Sequence, residues 1–260
     1  MPIHQSILLQ RDGPVAIVSF NRPASLNAID ASIREELFAV IKEVNDDENI
    51  RVVILTGVGR AFCAGADLTE GFPEGTSVEE GLNKQYKPVL MAISTAPKPW
   101  ISAVNGAAAG IGSAFAMACD LTLMAEDAYL YQAFTAIGLI PDGGATWHLA
   151  HTVGRKKAYE LIAFGEKLNS TDCLDLGLCN RVVPADKLIE QAKAMATVLA
   201  SKAPLSLRYA KEALNAAMSH DLASTISIEA RLQEICANSE DAKEGGQAFL
   251  QKRAAVFTGL

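Results

Sequence analysis

The chain has 260 residues, a formal net charge of -7, and a composition that is 50% hydrophobic but only 6% aromatic. That length suits one large domain, or one domain with a small appendage, and the apolar fraction excludes a disordered chain. The acidic balance, without clustered Lys and Arg, excludes a general nucleic-acid or anionic-membrane binder.

Short β-rich runs alternate with helical patterns along the chain. Residues 7–10 and 15–20 read as a hairpin across Arg11, Asp12, Gly13 and Pro14. Residues 32–46 read as a helix, with apolar positions at 33, 37, 40, 41 and 44. Residues 52–56 are a continuous apolar run, as expected of a strand covered on both faces. A Gly-rich loop follows, then a mostly helical stretch over 76–95 with an interruption expected at Pro88. Residues 101–104 read as a buried strand, followed by a second Gly-rich turn and a helix over 112–119. Strands over 121–125 and 129–131 precede helices near 144–153, 155–164 and 170–176. A short strand over 180–183, a helix over 185–202 and helices from Pro204 almost to the end complete the pattern. The whole reads as an α/β core of β-then-helix units with an all-helical C-terminal part, divided near residue 200 into 1–200 and 201–260.

The five cysteines, Cys63, Cys119, Cys173, Cys179 and Cys236, are odd in number and widely spaced. No C-x-x-C pair occurs, so a reducing, cytoplasmic setting is expected rather than a disulfide framework. The first residues lack the charged leader and apolar block of a signal peptide. Residues 99–119 carry no charge, and their length would allow a membrane span. They are mostly Ala, Gly and Ser around Asn105, so a buried strand-turn-helix is expected instead.

Two Gly-rich turns follow strands, one over 57–68 and one over 105–112. Small residues let a ligand approach the backbone, and a helix N-terminus presents free N–H groups. Two such turns side by side could hold one developing oxyanion; either alone reads more readily as a tight turn in a packed protein. The second resembles a dinucleotide-binding turn, but the bulky Phe115 stands where a third small residue belongs. His148 and His151 lack a carboxylate at zinc-ligand spacing, so no metal site is expected. Asp142, alone among apolar residues and glycines at a helix start, could be an N-cap or a reactive carboxylate.

Residues 21–28 (NRPASLNA), 61–68 (AFCAGADL), 99–121 with its AVNG turn, 137–147, and 248–253 (AFLQKR) form a set of motifs. Together they resemble the crotonase, or enoyl-CoA hydratase/isomerase, superfamily. The resemblance implies a spiral of ββα repeats, a C-terminal helical trimerisation region, and trimers or dimers of trimers. It implies acyl-CoA thioester chemistry with no metal or redox cofactor, coenzyme A entering as part of the substrate. It places the oxyanion hole on the backbone N–H groups of Ala66 and Ile111. Coenzyme A contacts fall near Ala24, Leu26, Ala64, Ala66 and Leu68. Phe249 and Lys252 would meet the nucleotide end, and Arg22 the phosphate charge.

The departures from the family pattern bear on the reaction. Family hydratases carry two glutamates in the site, and those positions are Ala114 and Phe134 here. Asp142 falls on a third family position, where a carboxylate resembles the isomerase branches. The expectation is therefore a double-bond shift from 3-enoyl-CoA to 2-enoyl-CoA, with Asp142 as acid and base. An atypical hydratase and a catalytically inactive acyl-CoA-binding homologue remain alternatives. An aspartate-nucleophile dehalogenase would need its histidine at Met91, which cannot supply it. Phe72, Tyr86, Leu90, Phe134 and Trp147 are candidates for the acyl pocket.

Overall fold

Three nearly all-apolar runs build the centre of the larger sheet. The protein is described by a computed structural model covering residues 5–260. β1 (Ile7–Asp12) and β2 (Val15–Phe20) pair antiparallel around Gly13, whose φ of 56° suits the tight turn. After the helix α1 (Ala31–Asp46), β3 (Val52–Gly57) lies parallel to β2, with Val15 opposite Val52. β5 (Trp100–Val104), β7 (Leu121–Ala125) and β10 (Arg181–Val183) extend the sheet in the order β1-β2-β3-β5-β7-β10. α1 covers one face with Ile33, Leu37, Val40, Ile41 and Val44, the predicted apolar stripe.

A second, four-stranded sheet contains the strand expected over 129–131 together with three strands the sequence did not suggest. β4 (Ala61–Cys63), β6 (Ala107–Ala109), β8 (Tyr129–Tyr131) and β9 (Lys167–Asn169) pair in that order. The chain therefore winds repeatedly from a strand of the first sheet, to a short strand of the second, to a helix. The repeats are β3-β4-helix, β5-β6-α4 (Ile111–Ala118) and β7-β8-α5 (Ala145–Phe164), between which α2 (Val78–Gly81) and α3 (Lys87–Ser94) complete the first. This is the expected spiral of ββα units.

The expected break at Pro88 lies slightly earlier. Residues Leu82–Tyr86 form a π-helical turn, and Pro88 occupies the first turn of α3, where its missing N–H costs little. α5 merges the two helices expected over 144–164, with Gly154 at φ 75°, ψ 160° marking the joint. α6 (Ser170–Asp175) and α7 (Leu188–Ala200) follow.

Beyond residue 203 come α8 (Pro204–Ala217), α9 (Leu222–Ala237) and α10 (Glu240–Gln251). α8 returns onto the core through Lys211, whose Nζ donates to Ile93 O and Asp120 Oδ2, each at 2.8 Å. Asn215 Nδ2 adds a bond to Ser94 O at 2.9 Å. No helix among the described residues is long and apolar enough to cross a membrane.

Candidate active site

The second sheet brings the two Gly-rich turns together. Gly65, at φ 108°, lies so close to β6 that an added Cβ would stand 3.1 Å from Ala109 O. A Cβ on Gly110 would lie 3.7 Å from Gly65 Cα and 3.9 Å from Phe134 Cζ. Both glycines hold left-handed backbone angles that side chains disfavour, and at Gly65 the approach is also too tight for an ordinary Cβ.

Each turn leaves one amide unpaired. Ile29 bridges Ala66 in parallel: Ile29 N donates to Gly65 O at 2.8 Å, and Asp67 N donates to Ile29 O at 2.9 Å. Successive strand amides point to opposite sides, so Ala66 N–H is turned away from Ile29. On the other turn Gly110 N donates to Tyr131 O at 2.9 Å, and Ile111 opens α4. Its N–H belongs to the helix's first turn and has no carbonyl to receive it. Among the described residues neither Ala66 N–H nor Ile111 N–H makes a turn or loop hydrogen bond.

Gly143, the residue after Asp142, packs against Ile111. A Cβ on Gly143 would meet Ile111 Cγ1 at 2.9 Å, Ala114 Cβ at 3.0 Å and Leu90 Cδ1 at 3.1 Å. Asp142 is not the N-cap of α5: Gly144 holds that position and no side chain caps the helix. The carboxyl Oδ1 is buried and has no hydrogen-bond partner. Burial pushes the Asp142 carboxyl up to about 6. Ala114 and Phe134, both buried, bring no ionisable group to the same place.

Other candidates sort by position. Ala24, Leu26, Ala64 and Leu68 cluster around the first turn; Ala64 N donates to Leu26 O at 3.0 Å, and Leu26 is held at φ 53°. Arg22 is already committed: Nε meets Asp30 Oδ2 at 3.1 Å and Nη1 meets Asp67 Oδ2 at 3.0 Å. It braces the loop rather than offering free charge. The Thr69 hydroxyl, and after it Arg22, hold the Asp67 carboxyl below its ordinary range. Phe249 lies 83% exposed near the end of α10, and Lys252 is that helix's left-handed C-cap. Neither Lys252 nor Phe249 bonds to the two turns among the described residues.

The five acyl-pocket candidates do not share one hollow. Leu90 and Trp147 line a mainly apolar cavity of about 770 Å³ beneath α8, to which Gly143 and Gly144 also contribute. Phe72 borders a separate hollow of about 520 Å³ with Arg34 and Glu70. Tyr86 is buried edge-to-face with Phe72 at 6.3 Å, and its hydroxyl accepts from Arg34 Nη1 at 3.4 Å. Burial pushes the Tyr86 hydroxyl up, with the Asp142 charge contributing to that rise. Phe134 borders Gly110. His148 and His151 both pack against Trp147, and no group of three metal-ligating side chains occurs among the described residues.

Two residues were not anticipated. Gln132 Nε2 donates to Ser113 Oγ at 2.9 Å, and Ser113 Oγ donates to Gly110 O at 2.7 Å. Their only sequence signal was a lone amide and a lone hydroxyl in apolar surroundings.

Two glycine-bounded amides and a carboxyl with one buried, unpaired oxygen are thus carried on a spiral of ββα turns, the fold class of this α/β protein. Residues 10–259 match the family model described as Enoyl-CoA hydratase/isomerase, and the chain belongs to that family, within the crotonase superfamily. It is 40% identical over 245 residues to the "Probable enoyl-CoA hydratase" of Rhodobacter capsulatus, covering 94% of this chain and 95% of that protein. It is 35% identical over 257 residues to the 1,2-epoxyphenylacetyl-CoA isomerase of Escherichia coli, covering 97% and 98%. The crystal structure of an enoyl-CoA hydratase from Bacillus anthracis superposes with a TM-score of 0.93 at 34% identity, covering 98% of this chain and 100% of that one.

Proposed function

We propose that this protein is an enoyl-CoA isomerase that shifts a double bond from the 3- to the 2-position of an acyl-CoA thioester. The observation that carries the reading is the carboxyl of Asp142, whose Oδ1 is buried and unpartnered, next to Gly143, which packs against Ile111 and Ala114, while Phe134 borders Gly110.

The thioester oxygen accepts from Ala66 N–H and Ile111 N–H. As Asp142 removes a proton from C2, electrons move onto that oxygen and a dienolate forms. The protonated Asp142 then returns the proton to C4, and the carbonyl re-forms with the double bond in conjugation. One base suffices because the reaction neither gains nor loses atoms. Each oxyanion donor is worth roughly 2.7–4 kcal/mol, and a positioned acid/base roughly a hundred- to ten-thousandfold in rate. Hydration instead requires a water to be oriented and activated, and neither Ala114 nor Phe134 can do this.

Ala24, Leu26, Ala64, Ala66 and Leu68 would carry the coenzyme A backbone contacts. Phe249 and Lys252 would reach the nucleotide from a neighbouring protomer of a trimer or dimer of trimers. The acyl group would extend past Leu90 and Gly143 toward the cavity under α8. Four of the five thiols are buried and all are free, which supports a reducing, cytoplasmic setting.

The test sets both reactions side by side. On a 3-enoyl-CoA the protein is expected to generate conjugated thioester absorbance. On the matching 2-enoyl-CoA it is expected to consume that absorbance at least a hundredfold more slowly. Faster loss on the 2-enoyl-CoA would make it an atypical hydratase, and tight binding without either reaction an acyl-CoA-binding homologue.

A further inference from the structure

We infer that Gln132, Ser113 and the Gly110–Ile111 peptide form one directed hydrogen-bond wire that strengthens the second oxyanion donor. The inference rests on the thioester reading above and assigns its positioning residues.

The direction of the wire follows from donor chemistry. The Gln132 amide nitrogen only donates, and it lies 2.9 Å from Ser113 Oγ. The serine oxygen is thereby used as an acceptor, and its own proton goes to Gly110 O at 2.7 Å. Ser113 N donates to the same carbonyl at 3.0 Å. Gly110 C=O and Ile111 N–H are the two ends of one planar peptide unit. Pulling electron density toward the carbonyl leaves the N–H a stronger donor, since linked hydrogen bonds polarise one another. Every arrow of the chain points toward the oxygen that Ile111 N–H would hold.

The wire is built where such coupling is strongest. Ser113 is fully buried and Gln132 is 4% exposed. The other amide atom, Gln132 Oε1, is buried without a partner. Leaving a buried acceptor unpaired is costly, and of the two amide atoms only the nitrogen makes a hydrogen bond. The same wire fixes orientation: Gly110 sits at φ 53°, ψ -131°, held by Tyr131 O on its N–H and by Ser113 on its carbonyl. Gln132 and Ser113 are thus positioning residues, acting through the peptide rather than on substrate.

The experiment uses a non-isomerisable arylacryloyl-CoA, whose absorbance moves to longer wavelength when its carbonyl is polarised. Full-length protein is compared with Gln132→Met, Ser113→Ala and Ser113→Cys, the last keeping the shape with a weaker donor. The expected result is a red shift in the unsubstituted protein, reduced in Gln132→Met, reduced further in Ser113→Ala, and intermediate in Ser113→Cys. Affinity for the probe should change less than threefold, and kcat on a 3-enoyl-CoA should fall roughly tenfold with KM nearly constant. An undiminished red shift in folded Gln132→Met and Ser113→Cys overturns the wire while leaving the thioester reading intact. No red shift in the unsubstituted protein removes the thioester reading, and the wire with it.

Discussion

Gly143 packs directly against Ile111: a Cβ at Gly143 would stand 2.9 Å from Ile111 Cγ1. The same glycine has φ 61°, a region that side chains disfavour. Gly143→Ala therefore combines backbone strain with overpacking between the acid/base residue and the oxyanion turn. A stability loss of about 1–3 kcal/mol is expected. The accompanying fall in kcat should exceed that of a substitution of equal stability cost elsewhere, as thermal melting and steady-state rates on a 3-enoyl-CoA would show.

The pH dependence follows from Asp142. Its carboxyl stands at about 6, raised by burial from 3.8. As the base it must start ionised, so kcat/KM should rise through a single ionisation near pH 6 and then level off. His148, pushed down to about 4 by burial, is neutral across this window and does not supply that limb. A profile flat from pH 5 to 8 would contradict the assignment.

The same shift has a sign for stability. Because the folded value lies above the unfolded one, the fold favours the protonated carboxyl. The ionised form therefore weakens the fold progressively as pH rises from about 4 to about 6, and fully above that. Asp142→Asn should raise stability at pH 8 by on the order of 1–2 kcal/mol after solvent screening, seen as a higher melting temperature, and change it little at pH 4. Equal melting shifts at both pH values would contradict this.

A single carboxyl also predicts the fate of the proton. With a 3-enoyl-CoA deuterated at C2, turnover in ordinary water should leave part of the label at C4 of the product. The carboxyl's Oδ1 is buried, which slows exchange with solvent during the dienolate lifetime. Complete washout at every substrate concentration, read by mass spectrometry, would point to water as the proton carrier instead.

Away from the site, Lys98 provides a control on stability. Its buried ammonium donates to Val44 O at 2.8 Å, Asp47 O at 2.8 Å and Ile50 O at 2.7 Å, closing the C-terminal end of α1. Lys98→Met should cost about 2–4 kcal/mol by leaving those carbonyls unpaired. Activity per folded molecule should be unchanged, which chemical denaturation and rate assays together would establish.

The larger sheet was legible because strands such as Val52–Gly57 are continuous apolar runs, and α1 because its stripe repeats at helical spacing. The smaller sheet was not, since Ala61–Cys63 and Ala107–Ala109 are three residues each and alanine-rich. Such segments are too short to show alternation and become strands only through their partners. Motif resemblance singled out Ala66, Ile111 and Asp142, while the approach of Gly65 to Gly110 and of Gly143 to Ile111 shows only in the folded chain. Phe72 and Trp147, both candidates for the acyl pocket, border different hollows, because side chains separated by whole elements find their neighbours only in the folded chain. Arg22 illustrates the same limit: its charge was visible, while its prior engagement with Asp30 and Asp67 was not.

The central claim is that Asp142 carries the proton, and Asp142→Asn on a 3-enoyl-CoA measures it most directly. The substitution keeps size and shape, so acyl-CoA binding should persist within a few-fold. kcat is predicted to fall at least a hundredfold, with the dependence on pH near 6 abolished. Retention of full isomerisation by folded Asp142→Asn would contradict the account.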